Sequence, residues 1–241
     1  MCAGSPKSSV GRIDSRQDKL MIWILLTFVV SASAVTLGIR TGTDARTMWL
    51  TVAGGYALTG ALAVYRLGAT KTLLDRLVPK WGDISLGIVT AAALLGLAWA
   101  GRELLLPLGS ERLGWLGQLY GKLGSPSAVR GSLSMTGLVV LVSALEEISW
   151  RGLVQHELSV RVSQGRAWWL AAVIYAIATL PAAFLLADPV AGPNPVLPAG
   201  ALSCGLAWGY VTKATGRLPP VMISHAVFTY FVVTRFSWPG L

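Results

Sequence analysis

Glu146-Glu147-Ile148-Ser149-Trp150-Arg151-Gly152 sets two carboxylates beside a guanidinium, directly after a run, Leu133 to Leu145, that carries no charge. Ionisable groups at membrane depth are costly to desolvate, so such a cluster marks a functional site by default. On a helix Glu147 and Arg151 stand at i and i+4 and form an ion pair on one face. Glu146 is rotated by about 100° from Glu147, which leaves its carboxylate free to face a bundle interior. Desolvation in a partly dry cavity raises the pKa of a free carboxylate, which suits a general base near neutral pH. The competing reading of the same spacing is a helix end at the headgroups with Glu and Arg solvated, since charged residues are ordinary there. Gly152 is expected to end the helical pattern and let the chain turn.

Two further segments could complete a site. His225 lies in the otherwise apolar stretch Val221 to Tyr230, where an imidazole can donate a hydrogen bond to a developing oxyanion or simply bond a neighbouring helix. Thr229, four residues on, shares its helix face. In Tyr175-Ala176-Ile177-Ala178-Thr179-Leu180-Pro181, Pro181 cannot donate to the carbonyl of Ile177, so a kink is expected beside Thr179. Freed carbonyls at kinks are tolerated where they line a polar cavity, although a plain packing kink explains this segment equally well. His156 lies outside the apolar run, about 15 Å of helical rise from Glu146, and reads as an interfacial residue without a catalytic role.

These residues need helices to carry them, and the composition supplies little else. Of 241 residues 54% are hydrophobic and 13% charged, against about 25% charged in a soluble domain, and the mean hydropathy is +0.61. Ten Trp and 27 Gly suit membrane interfaces and close helix packing. The expectation is an all-α, polytopic transmembrane helical bundle. Cys204 reads as a small packing residue, and a disulfide with Cys2 is not expected. With two histidines and neither HExxH nor CxxC, the chain offers almost no zinc ligands; no metal and no cofactor are expected. The net charge of +9 comes from basic residues scattered between apolar segments, which is what orienting a membrane protein requires, so no nucleic-acid partner is expected.

Runs near the length of a spanning helix are Leu20–Ile39, Met48–Leu67, Ser85–Ala100, Ser132–Trp150, Trp168–Leu186, Pro198–Val211 (the shortest) and Leu218–Thr234, about seven spans. With the N-terminus inside, the inner segments hold Lys7, Arg12, Arg16, Lys19, Arg66, Lys71, Arg76, Lys80, Arg151, Arg161, Arg166, Lys213 and Arg217. The outer segments hold Arg40, Arg46, Arg102, Arg112, Lys122, Arg130 and Arg235. The inner excess predicts a cytoplasmic N-terminus and places the acidic pair near the cytoplasmic end of the fourth run. Ser31-Ala32-Ser33-Ala34 resembles a signal-peptidase site, but the apolar run continues through Val35, Leu37 and Ile39, which favours a retained span. The chain divides into a basic tail, 1–19, accessory helices and an interfacial loop, 20–131, and a core, 132–235. Small residues at Ala53, Ala57 and Ala61, with Gly54, Gly55 and Gly60, make the second run packing material without chemistry. The loop Arg102 to Gly131, with Trp115 and Tyr120, is expected to lie along the interface, and Ala187–Leu197 to do no more than break the chain.

Taken together, the three motif segments resemble the CPBP family of CAAX proteases and bacteriocin-processing enzymes, the ABI or Rce1-like glutamic intramembrane endopeptidases. The family pattern is EExxxR, FxxxH and HxxxN on successive core helices. The first is intact as Glu146, Glu147 and Arg151; the second falls on Tyr175 and Thr179, the third on His225 and Thr229. Thr215-Gly216-Arg217-Leu218 before Ser224-His225-Ala226 also matches the last motif region, and the resemblance spans about Leu133 to Val233. It implies Glu146 as the base that activates water, Glu147 and Arg151 as its supporting pair and His225 as an oxyanion donor, with Tyr175, Thr179 and Thr229 lining the site. Thr229 keeps one hydrogen-bond donor where the family has Asn. Thr179 cannot replace an imidazole as acid or base, because a hydroxyl does not titrate near pH 7.

The expected function is a multi-pass intramembrane endopeptidase, of bacterial inner-membrane type, that cleaves a membrane-associated protein or peptide near the bilayer surface by Glu-activated water without metal. Its partners are that substrate and the lipid bilayer. The alternative, motivated by Thr179, is a catalytically impaired member acting in membrane binding, sorting or immunity. A transporter carrying a proton on Glu146 ranks last, since the segments lack the internal repeat of many transporters. The eukaryotic branch of the family takes prenylated CAAX substrates; nothing in these residues indicates that substrate here.

Overall fold

The computed structural model describes residues 10–68 and 72–235, and of 10–20 the backbone alone. The first nine residues of the basic tail, Lys71 and Cys2 lie outside the described residues.

All seven apolar runs are helical. They form α1 (Val10–Ile39), α2 (Ala45–Gly68), α4 (Asp83–Leu105), α7 (Leu133–Glu147), α9 (Gln164–Ala178), α11 (Val196–Thr215) and α12 (Pro219–Arg235). The short helices α3 (Thr72–Leu77), α5 (Leu113–Leu123), α6 (Pro126–Gly131), α8 (Gln155–Arg161) and α10 (Pro181–Leu185) join them. No strand occurs among the described residues, and the protein is an all-α polytopic bundle. Among the described residues five segments are long and apolar enough to cross a membrane: Met21–Ile39, Ala45–Gly68, Asp83–Leu105, Leu133–Arg161 and Gln164–Leu185. The last two helices fall short of that measure. α12 has 17 residues, and α11 dilutes its apolar content with Pro198, three glycines and Lys213. Both still pack inside the bundle, α11 on α9 and α12 on α4 and α7.

Sequence sets several boundaries directly. Ser125 and Ser132 cap α6 and α7 by accepting from the backbone N–H of Ala128 and Met135, and Pro126 occupies the first turn of α6, where no N–H is needed. Gly216, with φ +70°, closes α11 in the left-handed conformation that glycine adopts without strain. Glycine also sets three close crossings. A Cβ at Gly55 would collide with Ala34 of α1, one at Gly87 would meet Ile223 and the Pro220 carbonyl at 2.8 Å, and one at Gly209 would meet the Trp168 carbonyl at 2.9 Å. Only part of the small-residue set of α2 is buried. Ala57 and Ala61 are exposed, while Ala53, Tyr56, Gly60 and Ala63 turn inward, because the crossing with α1 is set by Gly55 and Ala34.

Two expectations about connections are corrected. The helix does not end at Gly152: α7 passes through a π-helical turn, Ile148–Val154, and runs on as α8 to Arg161. Gly152 is fully enclosed, facing Leu73 and Leu218, so it serves packing and makes no turn. The segment 187–197 does more than break the chain. Asp188 and Gly192 exchange backbone hydrogen bonds, and Asn194 Nδ2 donates to the Trp115 carbonyl while Trp115 Nε1 donates to the Gly192 carbonyl. It thereby holds α5 over one end of the bundle. In α5, Leu119 and Tyr120 are buried and the Tyr120 hydroxyl donates to the Val232 carbonyl, so this part of the 102–131 segment packs on the core.

Candidate active site

The π turn lies immediately after the acidic pair. A π-helical turn shifts hydrogen bonds to i→i+5 and is found preferentially at functional sites. The carbonyls of Arg151 and Gly152, within this turn, accept from Arg76, whose Nη2 and Nη1 lie 2.9 Å from them. Burial lowers the Arg76 pKa to about 10, so the guanidinium stays charged at neutral pH.

Glu147 is fully buried. Its Oε1 accepts from Arg151 Nη1 at 3.0 Å, the i, i+4 pair expected from the sequence, and lies 2.8 Å from His225 Nδ1. An ionised carboxylate can only accept, so Nδ1 carries the hydrogen in this contact. Arg151 is held from both sides, its guanidinium 5.0 Å from the ring centre of Tyr175 and 5.3 Å from that of Trp208. Trp208 in turn stacks on His225 with ring centres 3.9 Å apart and donates through Nε1 to Ser224. The imidazole is thus fixed on one face by an indole and at one nitrogen by a carboxylate.

Glu146 is paired differently. It makes no ion pair with Arg151, as expected, but its carboxylate is not free. Oε1 accepts from the hydroxyls of both Tyr56 and Tyr175, each at 2.7 Å. Oε2 points to His225 Nε2 at 3.6 Å, beyond direct hydrogen-bond reach. One oxygen of this carboxylate is therefore clasped and the other is turned toward the imidazole. The wall behind is aromatic, with Trp150 fully buried and its ring 5.1 Å from that of Tyr175.

Glu146, Tyr175, Thr179, His225 and Thr229 all line one cavity of about 560 Å³. It is overwhelmingly apolar and extends past Val142, Cys204 and Phe228 to Leu105 on α4 and Leu119 on α5. Thr179 is buried, and its hydroxyl donates to the carbonyl of Ala176. The chain beside it breaks rather than kinks. α9 stops at Ala178, Thr179 and Leu180 donate to carbonyls three residues back, and α10 starts with Pro181 in its first turn. Among the described residues no group of three or more His, Cys, Asp or Glu has an arrangement that could hold a metal ion.

The structure therefore brings Glu146, Glu147, Arg151 and His225 together, with Tyr175, Thr179 and Thr229 around the adjoining cavity. His156 stays apart, half-buried against a second, smaller pocket. Sequence reasoning missed Tyr56, 90 residues from its carboxylate partner. The available signal was a lone phenol inside a stripe of small residues, where a buried hydroxyl needs a partner on another helix.

The family model described as type II CAAX prenyl endopeptidase Rce1-like matches residues 128–231, from the start of α6 into α12. No curated protein and no solved structure matches the chain.

Proposed function

We propose that this integral membrane protein cleaves a peptide bond of a membrane-associated protein by Glu146-activated water, a reading supported at the family level by the match of residues 128–231 to the Rce1-like model. The observation that carries the reading is the asymmetric carboxylate: Oε1 is held by two phenols while Oε2 faces His225 Nε2 across 3.6 Å at the cavity wall. Oε2 takes the proton of a water attacking the carbonyl carbon of the scissile bond, and returns it to the leaving amine. His225 Nε2 donates to the tetrahedral oxyanion. Since Glu147 holds the Nδ1 hydrogen, this donation requires hydrogen on both ring nitrogens. Glu147 and Arg151 keep the imidazole in place without touching substrate. The apolar cavity takes the substrate segment beside the cut and keeps bulk water away.

A second reading rests on Thr179. The motif's helix-five imidazole is absent, and the Thr179 hydroxyl is spent on its own helix. In that reading the scaffold binds a membrane segment without cutting, in sorting or immunity.

New protein termini in membrane and secreted proteomes separate the two. Cells carrying the wild type, a deletion and Glu146→Gln are compared. Termini lost in both altered strains identify substrates and support catalysis at Glu146. Termini unchanged in all three, with a phenotype in the deletion only, leave the binding scaffold. Full cleavage of an identified substrate by Glu146→Gln would remove Glu146 as the base.

A further inference from the structure

A second pocket lies at the opposite end of the bundle from the α5 end of the active-site cavity, where α3, α8, the start of α9 and the C-terminal turn of α11 meet. Its volume is about 190 Å³, and it is lined by Arg76, Gln155, His156, Ser159, Thr212 and Lys213, with Gln164, Ala167 and Gly216 at its edge. Taking liquid water at about 30 Å³ per molecule, this is room for roughly six waters, or for a phosphate with a small polyol. The described lining holds two cations and a histidine but no carboxylate. Two buried polar atoms are left without partners: Gln155 Oε1, whose amide nitrogen is committed to the Gly209 carbonyl, and Thr212 Oγ1. Native proteins rarely leave such atoms unsatisfied, and each that remains calls for a partner such as a water or an ion.

We propose that this pocket binds a phosphate ester with a neighbouring hydroxyl, supplied by the headgroup of an anionic phospholipid. Three features set that chemistry. The cations select an anion, and phosphate oxygens accept from Lys213 Nζ, from the Thr212 hydroxyl and from the Arg76 N–H groups that backbone carbonyls leave unused. Gln155 Oε1 can only accept, so the ligand must also bring a donor, which a headgroup hydroxyl does and a choline does not. The depth is that of headgroups: Lys213 Nζ lies 5.8 Å from the ring centre of Trp168 and 5.9 Å from that of Tyr210, an aromatic and basic pairing typical of the membrane interface. Basic pockets between helix ends are the usual seats of anionic lipid headgroups. None of the groups assigned to peptide cleavage lines this pocket, so the site stands or falls independently of that reading.

The test uses the full chain purified in detergent, with lipid retention read by native mass spectrometry after exchange from bilayers of phosphatidylglycerol mixed equally with phosphatidylcholine. Phosphatidylglycerol is expected to be retained about tenfold over phosphatidylcholine. Lys213→Gln, at an exposed position, should reduce that preference about threefold, and Lys213→Glu should abolish it. Thr212→Val, nearly isosteric, should reduce it a few-fold while leaving the melting temperature of the lipid-free protein unchanged. Equal retention of the two lipids by the wild type, or a preference untouched by all three substitutions, would overturn the site and leave a pocket filled by water. Glycerol 3-phosphate is the soluble arm. If it binds to protein in pure phosphatidylcholine nanodiscs with the same sensitivity to Lys213→Gln, the lipid source is overturned and a soluble phosphate ester takes its place.

Discussion

Residues 128–231, which match the family model, and the helices before them differ in what they bring to the site. The matched part supplies every charged group of the cluster, Glu146, Glu147, Arg151 and His225, and the aromatic rings that fix them. The preceding part supplies two groups, each from a different helix. Tyr56 of α2 puts one of the two phenols on Glu146, and Arg76 of α3 donates to two carbonyls of the π turn. α2 packs on both α7 and the π turn, and Arg76 reaches that turn from α3. A family motif can therefore be intact while the geometry that makes it usable depends on helices outside the motif. The first helices are part of the site's structure and more than an anchor.

Arg76→Ala breaks this comparison most directly. Two carbonyls would lose a charged donor, at about 1.5 kcal/mol for each hydrogen bond from a charged group, so the expected loss is about 3 kcal/mol. Thermal unfolding in detergent reads it, with Arg112→Ala on the exposed α5 end as the neutral control. A variant that melts with the wild type would show that the π turn is stable without α3. Gly205→Ala probes the matched part alone. The new methyl would sit 3.1 Å from Ala172 Cβ and 3.4 Å from Arg151 Nη2, pushing α9 and α11 apart around the guanidinium. The expected cost is about 2 kcal/mol, in the usual range for overpacking. If it is tolerated silently, the Arg151 sandwich between Tyr175 and Trp208 is looser than these distances imply.

Tyr56→Phe and Tyr175→Phe then set the two parts against each other on a single oxygen atom. Each removes one hydrogen bond to an acceptor carrying charge, worth about 1.5 kcal/mol. Because both donors serve Glu146 Oε1, the double variant should cost more than the two single losses added, and a double-mutant cycle measures the excess. Additive losses would mean that the phenols act separately and that the clasp is a coincidence of packing. In a cleavage assay, equal slowing by either substitution would show that the helix outside the family match matters to Glu146 as much as the one inside it.

The bundle's helices were legible in the sequence because apolar runs of spanning length have few other uses. What failed was local detail decided by neighbours. Gly152 reads as a stop, yet enclosure by Leu73 and Leu218 keeps the backbone helical there. The small residues of α2 announce close packing without saying which face packs, and the buried set Ala53, Tyr56, Gly60 and Ala63 is centred roughly 80° around the helix from Ala53, Ala57 and Ala61, close to the ~100° that one residue turns. In the site, the Glu147–Arg151 pair follows from helical spacing alone. The contact of Glu147 with His225 and the phenol of Tyr56 on Glu146 are pairings 78 and 90 residues apart, and no local rule reaches that far.

The smallest predicted effect concerns the seam at the far end of the cavity, where the two parts meet again. Asp188 of the matched part accepts from the backbone N–H of Ala191 and Val190, and these bonds hold its carboxyl below the ordinary value of 3.8. A lowered pKa in the folded state means that the stabilisation is fully present above that ordinary value and fades as pH falls through the lower, folded one. The turn carries Gly192, whose carbonyl receives Trp115 of α5, so loosening it should free α5 from the mouth of the cavity. Hydrogen exchange at Val190 and Ala191, corrected for the intrinsic pH dependence of the amides, should therefore quicken only in acid below that value. A side chain at Gly114 would run into the Asp188 carboxylate, so Gly114→Ala should quicken the same amides at neutral pH while leaving those of α7 and the π turn unchanged. Exchange that quickens throughout the bundle would mean that this seam is rigidly tied to the active site; exchange confined to 188–192 and α5 would make it a local hinge, separate from the charged cluster at the other end of the cavity.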